Sequence, residues 1–142
     1  MKTHLELLRD KSLPELHDLL FRLALPMPEK LRRKEPFVQA IAAGIAERPE
    51  IVRIAIGCDP MEALSGTLSA LRRRDRGPCR IPARLVRTDL SLMDALNTLQ
   101  LFGLALRDRT AAWYVLPEAR PVCRLGAGDL DLLAYQDRKR HV

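Results

Sequence analysis

Cysteine, histidine and clustered cations are the residue types in this chain with chemistry to offer. Three cysteines, Cys58, Cys79 and Cys123, are spread through 142 residues with no C-x-x-C pair among them. A zinc site would have to recruit a fourth ligand from His4, His17 or His141, and the usual ligand spacing is absent. The odd count argues against a disulfide framework. Buried, inert thiols are the expectation, with no metal and no other cofactor. Cys79 stands between Arg76 and Arg80, the setting in which a thiolate becomes reactive. His17, beside Asp18, falls at the edge of an apolar helix face, the place of a boundary residue rather than of a general base. No glycine-rich phosphate loop, H-E-x-x-H or G-x-S-x-G occurs. The chain is read as non-enzymatic.

The cations are more telling. "EKLRRK" carries Lys30, Arg32, Arg33 and Lys34; "LRRRDR" carries Arg72, Arg73 and Arg74; a polar tip near the end carries Arg107 and Arg109. The formal net charge is +6, which favours polyanionic partners and salt-dependent attraction to nucleic acid. A solvated surface, or cations balancing helix dipoles, is the competing account. Trp113 and Tyr114 are adjacent in a chain with 4% aromatic residues. On a strand they point to opposite faces, so they do not form one stacking platform. One anchors the core and the other faces out.

The elements that must position these residues can be read from capping and periodicity. "SLPELHDLLFRLAL" opens with a capping box, Ser12 and Glu15, with Pro14 in the first turn. Leu13, Leu16, Leu20 and Leu23 recur at helical spacing until Pro26 and Pro28 stop the helix. A second helix starts near Pro36, with Phe37, Ile41 and Ile45 on one face. "PEIVRIAIG" suits a short helix, with a strand as the alternative. Asp59-Pro60 starts a helix running to about Arg74. "RIPARLVRT" alternates weakly and reads as a short strand, leaving little room for a helix before the next cap, Asp89 or Ser91. Leu92, Ala95, Leu96 and Leu99 then line a helix that Gly103 ends. "LALRD" and "AAWYVLP" flank a polar tip and read as a hairpin. A short helix from Leu130 to Tyr135 and a frayed tail close the chain. No apolar run is long enough to span a membrane. "MKTHLELLRD" is too charged for a signal peptide, so a cytoplasmic location is expected.

Residues 12 to 46 resemble a SAP-type helix–turn–helix, the kind also found at the start of the Rho termination factor. Leu16, Leu20 and Leu23 stripe the first helix, and Lys34 precedes the apolar pair Phe37-Val38. The resemblance implies that Lys30, Arg32, Arg33 and Lys34 meet the nucleic-acid backbone. Residues 49 to 120 resemble a winged helix, and the stretch "LFGLALRDRTAAWYVLPE" is similar to the end of small bacterial proteins joining the two parts. The implied fold is mainly α: a SAP-like segment over 1–48, then a winged-helix-like segment with a small β-hairpin over 49–142, as two pieces or one continuous domain.

Two functions fit these features. One is a non-catalytic, regulatory nucleic-acid-binding protein, for DNA rather than RNA, gripping the backbone with little sequence specificity. The helix from Ser91 to Phe102 holds no Lys or Arg, so it lacks the phosphate contacts of a base-reading helix, although Asn97 and Gln100 can meet adenine edges. The other is an adaptor or homodimer docking through that helix and the hairpin. Leu101, nearly opposite the core stripe, would be its contact with Asn97, Trp113 and Tyr114; a second packed layer would also explain that leucine.

Overall fold

The computed structural model describes residues 1–52 and 77–124. The helix expected over 59–74 and the one over 130–135 lie outside them. Numbering the described elements in chain order, α1 spans His4–Arg9, α2 Leu13–Arg22 and α3 Lys34–Glu47. Then come β1 Cys79–Ile81, α4 Ala83–Arg87 and α5 Leu90–Leu101. The hairpin strands are β2 Ala105–Arg107 and β3 Trp113–Val115. Residues 50–52 are helical, and two 3-10 turns, Pro117–Ala119 and Pro121–Arg124, follow the sheet. The described residues are mainly helical, with one small antiparallel sheet.

α2 forms as its cap dictates. The Ser12 hydroxyl accepts from the Glu15 amide at 3.3 Å, and the Ser12 amide donates to the Glu15 carboxylate at 3.1 Å. Leu16, Leu19 and Leu20 are buried against α3. α2 ends before the prolines, at Ala24, whose φ is +54. There the Leu25 amide donates to the Leu20 carbonyl and the Ala24 amide to the Phe21 carbonyl, the paired bonds of a Schellman stop. The same motif ends α5 at Gly103, with φ +72 and bonds from Leu104 to Leu99 and from Gly103 to Gln100. α3 starts two residues before the expected proline. Pro36 falls in its first turn, where a missing amide proton costs nothing.

α1 was not legible as a helix. Thr3 caps it, accepting from the Glu6 amide at 3.3 Å. It packs on α3, yet its first residue reaches the far end of α5. The buried His4 ring donates from Nδ1 to the Gly103 carbonyl at 2.9 Å, and Leu8, fully buried, lies under Gly103. The buried residues of the first three helices and of the sheet region belong to one cluster.

"RIPARLVRT" departs from the expected strand. Only Cys79–Ile81 pairs. Pro82 ends the strand because it has no amide proton for a ladder, and it precedes the five-residue α4, which buries Val86 alone. A helix therefore does sit between the short strand and α5. Of the two candidate caps for α5, Asp89 is the one used: its carboxylate accepts from the Leu92 amide at 3.0 Å. Leu92, Ala95, Leu96 and Leu99 face the core as expected.

The sheet order is β1-β3-β2, antiparallel throughout. Register places Trp113 opposite Ile81 and Arg107, and Tyr114 opposite Arg80 and Leu106. Trp113 is 2% exposed and belongs to the core; Tyr114 is half-buried on the outer face. At the hairpin tip the Asp108 carboxylate accepts from the Thr110 and Ala112 amides at 2.9 and 3.0 Å.

The two helix stops give a paired test. A Cβ on Gly103 would stand 3.3 Å from His4 Nδ1 and from Leu8, at a positive φ. Gly103→Ala is expected to destabilise the fold by about 1–2 kcal/mol. Ala24, exposed at the equivalent place in α2, is expected to stabilise it by up to about 1 kcal/mol as Ala24→Gly. Urea denaturation of both variants checks the opposite signs.

Candidate nucleic-acid interface

The turn between α2 and α3 is the basic site the residues build. Lys30, Arg32, Arg33 and Lys34 are all exposed. Glu29, Lys30, Leu31, Arg32 and Arg33 enclose an open hollow of about 400 Å³, and Leu31 is 56% exposed beside them. Arg33 is the N-cap of α3 and Lys34 its first residue, with no side chain capping the amides there.

Position argues against one competing account of these cations, that they balance a helix dipole. A helix carries partial positive charge at its N-terminus, so cations there are unfavourable for the helix itself. Balancing a dipole would put them at a C-terminus. Two acids flank them in sequence: Glu29 lines the same hollow and makes no ion pair among the described residues, and Glu35 is taken by another residue. Arg9 on α1 grips it with two bonds, Nε to Oε2 at 3.1 Å and Nη2 to Oε1 at 2.9 Å, and Gln39 adds a third at 2.8 Å. Among the described residues, the ion pairs are Lys2–Asp10, Arg9–Glu35, Asp18–Arg22 and Arg48–Glu50. None uses a cation of the turn. Uncapped amides, helix dipole and four free cations together suit a phosphate.

The other candidate residues scatter. Arg72, Arg73 and Arg74 lie outside the described residues. Arg107 is exposed at the sheet edge, its guanidinium 6.0 Å from the Trp113 ring centre. Arg109 is exposed at the hairpin tip. Trp113, expected at an interface, is buried and offers no surface to a partner. Leu101 is half-buried and packed against the core. Together with Asn97 and Gln100 it lines a cleft of about 400 Å³ whose facing wall comes from α1 and α2. The second-layer account of that leucine therefore describes its surroundings, since the N-terminal helices stand over it.

Sequence reasoning missed Arg80, Arg84 and Arg87. All three are exposed, with no acid at ion-pair distance among the described residues. Reading a strand there concealed the i, i+3 spacing that puts Arg84 and Arg87 on one side of α4. Cys79 is buried on the core side of β1. His17 is exposed, its ring centre 6.1 Å from that of Phe37. Among the described residues no three His, Cys, Asp or Glu side chains gather as metal ligands, and no helix is long and apolar enough to cross a membrane.

The Arg9 guanidinium and the Gln39 amide hold Glu35 ionised, lowering its pKa from 4.5 to about 2. A depressed folded-state value stabilises the fold above the unfolded pKa, and that contribution is lost as the carboxylate protonates. Its share of stability is expected to be complete above pH 4.5 and to fade towards pH 2. Arg9→Ala should flatten that part of the pH–stability curve; an unchanged curve would contradict the bond.

No protein-family model, no curated protein and no solved structure matches the chain.

Proposed function

We propose that the chain is a non-catalytic nucleic-acid-binding protein that grips the DNA backbone through its basic turn, with little sequence specificity. One observation carries the reading: Lys30, Arg32, Arg33 and Lys34 are exposed, unpaired among the described residues and gathered in the turn that leads into the positive end of α3, where they serve no helix. Phosphate contacts of this kind position a protein on nucleic acid without reading bases. The order of elements adds support. α2, the basic turn and α3 follow the SAP-type pattern, with Phe37-Val38 buried at the start of the second helix. β1-α4-α5-β2-β3, with strand order β1-β3-β2, has the helix before the last helix that a winged-helix arrangement needs.

Docking to a protein is the second reading. Leu85 and Leu90, 53% and 75% exposed at the α4–α5 corner, favour it. A sedimentation mass that stays monomeric at all concentrations would remove its homodimer form.

Replacing Lys30, Arg32, Arg33 and Lys34 together by Ala is expected to weaken binding to mixed-sequence DNA at low salt at least about tenfold. Undiminished affinity, with circular dichroism showing an intact fold, would reject the turn as the contact.

A further inference from the structure

The face of α5 that would read bases is walled on one flank. Asn97 and Gln100 are three residues apart, hence neighbours on one side of the helix, and both are exposed. Across from them stands the corner between α1 and α2, contributing Leu7, Asp10, Lys11 and Glu15. A helix reading duplex DNA must enter a groove about 12 Å wide with both flanks clear. α5 has a helical corner against its flank. The remaining space, about 400 Å³, is that of a small-ligand site.

The polar groups of this cleft match one kind of occupant. Each primary amide offers a donor beside an acceptor, the complement of a base edge, and neither is bonded to another described residue. The two acids on the wall are already engaged. Asp10 pairs with Lys2, and Glu15 is held by the Ser12 amide and hydroxyl. Lys11 is half-buried, with no acid at ion-pair distance among the described residues. Burial lowers its pKa, so its ammonium is short of solvent and would gain from an anion. Leu7 and Leu101 give apolar contact for a flat ring. The cleft also adjoins the turn. Arg9, next to Asp10 of the cleft wall, bonds Glu35, next to Lys34, which ties the wall to the first turn of α3.

We propose that this cleft takes one unstacked base of a single-stranded nucleic acid whose backbone runs over the basic turn, with Asn97 and Gln100 reading the base edge. The proposal rests on the backbone-binding reading of that turn. Single strands leave their Watson–Crick and Hoogsteen edges open, which a duplex kept out by the α1–α2 corner does not.

The test is fluorescence anisotropy with a labelled single-stranded DNA and its duplex of equal length, at fixed salt. Wild type, the double variant Asn97→Ala/Gln100→Ala, and the four-fold alanine variant of the turn are compared. Wild type is expected to prefer the single strand by about tenfold. The double variant should lose that preference and keep its duplex affinity and salt dependence. Equal wild-type affinities, or a preference that survives in the double variant, would overturn the cleft. Unaltered binding by the turn variant would overturn the turn reading and the cleft with it. Loss of binding there, beside a preference intact in the double variant, overturns the cleft alone.

Discussion

The seating of α1 on the end of α5 is the contact on which the rest depends. His4 bonds the Gly103 carbonyl across 99 residues of chain, and Leu8 fills the space that a glycine leaves. Among the described residues His4 Nε2 is buried with no hydrogen-bond partner; a buried polar atom left so costs about 1–3 kcal/mol. Burial of Leu8 offsets it with about 1.5–3 kcal/mol. The helix is six residues long, too short to persist without such docking. Held there, it performs two tasks. Arg9 reaches Glu35, and the corner with α2 becomes a wall facing α5.

The first task shapes the electrostatics. Glu35 in the first turn of α3 favours the helix dipole and would otherwise be the natural partner for Lys34 or Arg33. With Arg9 bidentate on it, this acid is satisfied, and the turn, Glu29 included, keeps an excess of cations. Arg22, at the end of α2, is occupied by Asp18 one turn earlier. The cations that pair are those inside helices or flanking them. Lys11, the four cations of the turn and Arg80, Arg84 and Arg87 have no acid at ion-pair distance among the described residues.

Local signals were legible and tertiary ones were not. The capping box of α2, the core stripe of α5 and the glycine stop at Gly103 need only a few neighbouring residues, and the structure has all three. α1 escaped notice because two turns of helix give no usable period, and its stabilising contacts lie on α3 and α5. In the β1–α4 segment Arg80, Ile81, Arg84 and Val86 fit an alternation only weakly, and Pro82 is the break between strand and helix. Alternation placed Trp113 and Tyr114 on opposite faces, but which faces inward depends on register with Ile81 and Arg107. The turn was legible as a charge cluster. That it lies at a helix N-terminus, free of Glu35, required the fold.

Salt dependence of binding tests the central claim most directly. The slope of log binding constant against log salt concentration counts the phosphates neutralised, at about −0.7 each for a single strand. Four turn cations on four phosphates give a slope of about −3. A slope near zero, or no binding at low salt, would leave the turn as surface charge and contradict the assignment.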